Sequence, residues 1–199
     1  MNTVLQAVGK KYGEREAARR IVCSRGDEII RTAKKVIFAL HRDDFSQATN
    51  LLKEIDASLK ACAQPLRSFP DLSGEGPFVG GLEEFAEAQL FLSYIKTGKL
   101  GMIDKRTTSP LTYIGGMCDA TGEIVRYAMR QATNGNHQAV TDAFLIVESV
   151  ITDLLDFDLT GYLRTKFDQA KRNLRQLEQM QYDLSRRVTN PKSEIPNPK

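Results

Sequence analysis

The amino-acid sequence predicts an all-α protein, a multi-helix antiparallel bundle of about six to seven helices. Apolar residues recur at steps of three and four through nearly every window. No window shows the strict alternation, or the Val/Ile/Thr-rich runs bounded by turns, that mark strands. Pro, Gly and Asn punctuate the pattern at intervals that suit connections between helices. A chain of 199 residues can bury one sizeable core. We expect a single all-α domain over residues 1–188 and a disordered tail over 189–199, where TNPKSEIPNPK has three prolines and Ile195 as its one apolar residue.

The first long helix is expected from Glu14 to His41, with Val22, Ile29, Ala33, Val36, Ile37 and Leu40 as its core stripe. A weaker helical lead-in, Thr3 to Lys11, precedes Gly13. Asp43 or Asp44 can cap a second helix running to about Ala63, where Pro65 is expected to stop it. Residues 67–81, rich in Gly, Pro and Ser, read as a loop with one short turn. The stretch GGLEEFAEAQLFLSYI, residues 80–95, then forms a third helix ended by Gly98. Ser109 and Pro110 supply an N-cap and a first-turn proline for a fourth helix reaching Ala132. Asn134-Gly135-Asn136 breaks it. A fifth helix is expected from His137 to Phe157 and a sixth from Thr160 to Val188. In the sixth, Leu163, Phe167, Ala170, Leu174, Leu177, Gln181, Leu184 and Val188 form a seam that suits packing inside a bundle or across a subunit interface.

The net charge of +3 hides an asymmetry: residues 1–42 carry 10 basic and 4 acidic side chains, 43–160 carry 9 and 17, and 161–199 carry 9 and 4. Basic ends bracket an acidic middle, an arrangement able to hold a polyanion around something cationic, or simply to form solvated helix faces. Cys23, Cys62 and Cys118 are odd in number, widely spaced and set in apolar patterns, so they form neither a zinc motif nor a disulfide framework. The absence of a long apolar run and of an apolar leader core makes a cytoplasmic location the expectation. His41 and His137, the only histidines, lie near no Ser or Cys motif, and no phosphate-binding glycine loop occurs, which argues against a nucleophilic triad and a nucleotide-binding strand-turn-helix.

The chemistry lies in two pairs of carboxylates. Glu84 and Glu87, three apart, share a face of the third helix, and Asp119 and Glu123, four apart, share a face of the fourth. Gly115, Gly116 and Gly122 lie on or beside that second face; each costs about 1 kcal/mol against Ala inside a helix, so close approach is expected there. If the faces meet, four carboxylates converge and their repulsion raises some pKa values unless Mg2+ or Mn2+ neutralises them. Such a centre suits phosphodiester hydrolysis. On spacing alone a second reading stands beside it, in which these are ion pairs such as Glu123 with Arg126.

At these residues the sequence resembles the translin family, and its translin-associated factor X branch more than translin itself. The likeness rests on GLEEFAEA (Gly81–Ala88) and DATGEIVR (Asp119–Arg126), supported by AKKVIFALHR (Ala33–Arg42) and YDLSRR (Tyr182–Arg187), in that order along the chain. The resemblance implies that Glu84, Glu87, Asp119 and Glu123 hold the catalytic and metal-binding places. It also implies a closed, barrel-like homo-oligomer, usually an octamer, binding single-stranded RNA and single-stranded DNA, with metal-dependent endoribonuclease activity in its catalytic members. The Arg/His-rich stretch of translin is replaced here by LSGEGPFVG, so translin's own DNA-binding residues are not carried over. With that likeness, Arg20, Arg31, Lys34, Lys35 and Arg42, close to one stripe of the first helix, become candidate phosphate contacts. Phe91, Tyr94 and Tyr127 are read as core rather than as base-stacking surfaces. The rival functions are a non-catalytic single-stranded nucleic-acid-binding protein and a helical scaffold with inter-subunit ion pairs.

Overall fold

The computed structural model describes residues 3–101, 103–107 and 109–189, and among them every regular element is helical. Six α-helices follow in order: α1 Thr3–His41, α2 Phe45–Ser68, α3 Gly76–Thr97, α4 Pro110–Thr133, α5 Gln138–Leu155 and α6 Gly161–Thr189, with short 3-10 turns at Pro70–Gly74 and Lys105–Thr107. The all-α expectation is met. The tail expected over 189–199 lies, beyond the helix end at Thr189, outside the described residues. No described helix is long and apolar enough to cross a membrane.

Several boundaries follow the capping chemistry. Asp44 accepts a hydrogen bond from the Gln47 N–H at 2.9 Å, as an N-cap should, and Ser109 does the same for α4 by accepting from Thr112 at 3.3 Å. Gly98 ends α3 with φ 69°, in the left-handed region, and its N–H reaches the Tyr94 carbonyl at 2.8 Å.

Three expectations are corrected. The lead-in and first helix are one helix of 39 residues; Gly9 and Gly13 weaken it without breaking it, since a glycine costs far less than a proline. Pro65 does not stop α2, which runs three residues further to Ser68. A proline in the last turn forfeits only its own N–H, and its carbonyl still accepts from Phe69 at 2.9 Å. The loop expected over 67–81 is mostly structured: a 3-10 turn fills Pro70–Gly74, and α3 starts at Gly76 with Pro77 in its first turn.

Packing sets a chain of neighbours. α1 lies against α2 and α3, α3 against α4, and α4 against both α5 and α6, which also pack on each other. Helix α3 is therefore covered on two sides, and Phe78, Phe85, Leu90, Phe91 and Tyr94 are all buried on it. At about 1.5–3 kcal/mol for each large side chain buried, their gain exceeds the cost of the polar groups the same helix takes inside. The apolar seam of α6 turns inward: Phe167, Ala170 and Leu177 are buried, and Leu163 and Leu174 pack on the same cores.

The α1–α3 crossing leaves no room for a methyl group. A Cβ on Gly26 would lie 2.4 Å from the Pro77 carbonyl carbon and 2.6 Å from the Phe78 nitrogen. Both are backbone atoms of the first turn of α3, so the helices would have to separate. We predict that Gly26→Ala lowers stability by about 1–3 kcal/mol, as overpacking does. Gly9→Ala, whose Cβ would meet nothing within 4 Å, should raise it by up to about 1 kcal/mol through helix propensity. Thermal melts of the two proteins check this, at roughly 2–4 °C per kcal/mol for a chain of this size.

Candidate acidic centre

Helices α3 and α4 meet, and their acidic faces open on one cleft of about 500 Å3 whose lining includes Glu84, Glu87, Asp119 and Glu123. All four carboxylates singled out by spacing are thus brought together. Helix α1 contributes Lys34, Ile37 and Phe38 to the wall, and α6 contributes Gln169 and Asn173. Gly122 lines the cleft as well, whereas Gly115 and Gly116 are where α3 packs against α4. A Cβ on Gly116 would stand 2.9 Å from Ala86 Cβ and from the Glu83 carbonyl oxygen, and one on Gly115 would stand 2.7 Å from the Glu83 carboxyl carbon.

Each carboxylate has a different environment. Glu84 is half-buried and pairs with Lys34 Nζ at 3.0 Å. Asp119 accepts from Lys166 of α6, and Glu123 is bonded to His41 Nε2, with Arg126 3.6 Å away. Glu87, 8% exposed, has no hydrogen-bond or ion-pair partner among the described residues. Burial first, then the charges of Asp119, Glu84 and Glu123, push its pKa up to about 9. At neutral pH it holds its proton. Burial also raises the pKa of Asp119, the bond from Lys166 offsets part of the rise, and Glu83 and Glu84 add to it. Among the described residues no three His, Cys, Asp or Glu side chains stand together so that they could hold a metal ion. Three of the four carboxylates are instead engaged one at a time by Lys34, Lys166 and His41.

Four residues escaped the sequence reading. Glu83, only 6% exposed, is seated over Gly115 and accepts from the Tyr162 hydroxyl, with Lys166 Nζ at 2.8 Å. Lys166 therefore serves two carboxylates. Burial works against its charge, but the bonds to Asp119, Glu83 and Tyr162 outweigh burial and raise its pKa. His41 is 6% exposed, and its ring packs on Phe91 with centroids 4.8 Å apart. Asn173 donates to Thr121 Oγ1 at 2.8 Å and faces the cleft from α6. The signals were present but faint: Glu83 precedes Glu87 by four residues, and Lys166 flanks the apolar seam of α6 beside Leu163 and Ala170.

The basic residues of α1 do not share one surface. Arg20 and Arg31 line a shallow cleft with Arg25 and Glu28, Lys34 belongs to the acidic cleft, Arg42 lies in a third cleft, and Lys35 is exposed between them. Phe91 and Tyr94 are core, as read from the sequence, and Tyr127 is half-buried with its ring edge-on to both.

Comparison with known proteins agrees with this fold. The translin-associated protein X homolog of Schizosaccharomyces pombe is 28% identical over 127 residues, covering 57% of this chain and 54% of that protein, so the chain spans about half the length of the curated relative it matches. The solved structure of apo-NeC3PO has the same fold, with a TM-score of 0.81 at 24% identity over 90% of this chain and 96% of that one. AfC3PO in complex with duplex RNA has a TM-score of 0.79 at 22% identity over 96% of this chain and 100% of that one. The translin family model matches residues 17–188, which take in every residue of the acidic cleft, and the chain belongs to the translin family.

Proposed function

We propose that this protein is a metal-dependent endoribonuclease acting on single-stranded RNA inside a barrel-like homo-oligomer. The observation that carries the reading is the convergence of Glu84, Glu87, Asp119 and Glu123, from two helices, on one open cleft. A protein that only bound a polyanion would gain nothing from such a concentration of negative charge. Membership of the translin family supports nucleic-acid binding, as does the likeness to AfC3PO, which was solved with duplex RNA.

The donor set fits a hard divalent cation. All four side chains offer carboxylate oxygens, the ligands preferred by Mg2+ and Mn2+. Glu87 is the clearest indication of fit: its carboxyl keeps a proton at neutral pH because it is buried and, beyond that, because three other carboxylates crowd it, and a cation neutralises that crowding charge. When bound, the cation supplies charge neutralisation at the phosphate and acidifies a water. The chain itself supplies positioning. Lys166 holds Asp119 from the α6 side, and His41 holds Glu123 from the end of α1. Lys34, whose side chain is 62% exposed, can turn from Glu84 to a phosphate oxygen.

Three outcomes test this. Replacing Glu123 by Gln, or Asp119 by Asn, should cut Mg2+-dependent cleavage of single-stranded RNA at least 100-fold in a fluorogenic assay while RNA affinity and the circular dichroism spectrum stay unchanged. An amide keeps the shape but ligates a hard cation poorly. If Glu123 serves only its pairs with His41 and Arg126, the variant will instead lose stability, and cleavage will fall only as far as the folded fraction does. Assembly is tested by light scattering, where we expect a discrete particle near eight times the 22.3 kDa chain mass; a monomer would remove the interior site.

The third outcome is a pH dependence. A carboxyl with a pKa of about 9 in the folded protein and an ordinary value near 4.3 unfolded binds its proton more tightly when folded. Its contribution is fully present below about pH 4.3 and is lost as pH rises through 9. In EDTA, thermal stability should therefore fall from pH 5 to pH 9. Glu87→Gln should flatten that fall and raise the melting temperature at pH 8, and Mg2+ should restore stability at pH 8 to the parent protein more than to the variant.

A further inference from the structure

Beside the acidic cleft lies a cationic one of about 480 Å3, lined by Phe38, His41, Arg42, Arg126 and Arg130. The two share a wall, since Phe38 and Arg126 line both. Phe38 is 53% exposed although it sits in the last turn of a helix with a well-filled core stripe. Arg42, one turn on, reaches over its ring with the guanidinium carbon 5.6 Å from the centroid, and Lys34 lies one turn before it. Arg130 is tied to Asp43, and Arg126 is exposed, 3.6 Å from Glu123.

A nucleic-acid strand whose phosphate reacts at the acidic centre is repelled by that centre unless cations hold it alongside. This cleft offers three arginines beside Glu123, and an exposed aromatic face at its mouth. We propose that Phe38, Arg42, Arg126 and Arg130 form the subsite for the nucleotide next to the scissile phosphate, with an unpaired base stacked on Phe38 and the adjoining phosphates on Arg42 and Arg126. The subsite rests on the nuclease reading above for its substrate, and it adds a selectivity. Stacking on a single exposed ring needs a base free of its own partner, so the subsite takes single-stranded RNA and refuses the interior of a duplex.

The test is binding without metal, so that it does not depend on cleavage. The chain contains no tryptophan, so Phe38→Trp places one reporter at the cleft mouth. Its fluorescence should be quenched by a single-stranded oligoribonucleotide in EDTA and much less by a blunt duplex of the same sequence. Phe38→Leu should weaken single-strand affinity roughly tenfold, the effect of losing one base–aromatic stack, while Phe38→Trp retains it. Removing Arg42 and Arg126 together should lower the slope of log affinity against log salt by about 0.7 for each phosphate that is no longer neutralised. Because Phe38 is exposed, thermal melts of both variants should match the parent. Unchanged affinity in Phe38→Leu, or equal quenching of Phe38→Trp by the blunt duplex, overturns the subsite even if the protein cleaves RNA. A protein that shows the stacking signature but never cleaves with Mg2+ overturns the nuclease reading and leaves the subsite standing.

Discussion

The close packing of α3 between α1 and α4 is the constraint on which the rest depends. On one side the backbone of its first turn lies against Gly26, and Gly81 lies against Ile29 of the same helix. On the other side Ala86 and the Glu83 carbonyl lie against Gly116. Small residues at both crossings let three helix axes approach closely, and only then do side chains one turn apart on α3 reach those of α4. The glycines forfeit helix propensity, about 1 kcal/mol each. Burial of Phe85, Leu90 and Phe91 along the same helix, at about 1.5–3 kcal/mol each, more than offsets that loss.

The same closeness creates the electrostatic problem the cleft must solve. Five carboxylates, Glu83 included, lie within the α3–α4 contact region, and nearby cations answer them unequally. Glu83 and Asp119 share Lys166, so the ammonium has two partners while each carboxylate has only part of one. Its two partners explain why the Lys166 pKa rises in spite of burial, whereas for Asp119 burial outweighs the ion pair and the pKa rises. Glu87, buried and surrounded mostly by charges of its own sign that Lys166 only partly offsets, is protonated at neutral pH. Burying an unanswered charge costs several kcal/mol, so the proton is the expected response. Helix α6, which contributes no reacting carboxylate, becomes part of the site through Lys166 and Tyr162.

Much of this was legible in the sequence, and for identifiable reasons. Local rules, the cap at Asp44, the proline after Ser109 and the glycine at 98, set boundaries the structure keeps, because those interactions close within one turn. Pro65 and Gly13 misled because a breaker acts only in proportion to what the surrounding helix loses: a last-turn proline forfeits one N–H, and an exposed glycine about 1 kcal/mol. The four carboxylates were found because like charges on an apolar stripe are conspicuous. Glu83 escaped because its partner, Lys166, is 83 residues away and pairing is invisible to periodicity. His41 was set aside because no Ser or Cys motif lies near it, and only the fold turns its ring inward onto Phe91 and its nitrogen toward Glu123.

The arrangement also explains why the first helix carries its basic residues as a stripe and not as a patch. From Arg20 to Arg42 an α-helix rises about 33 Å, and along that length the side chains divide among three clefts: Arg20 and Arg31 in one, Lys34 at the acidic centre, Arg42 beyond it. A patch would trap a polyanion at one point. Under the nuclease reading proposed above, cations spread along the helix on either side of a carboxylate cluster would hold a strand on both sides of the place where its charge is least welcome, so that a single phosphate is delivered there. Phe38, set between Lys34 and Arg42 at four-residue steps, lies on that line. Its exposure is unexplained by the core of α1, and the stacking proposed for it would use that exposed face.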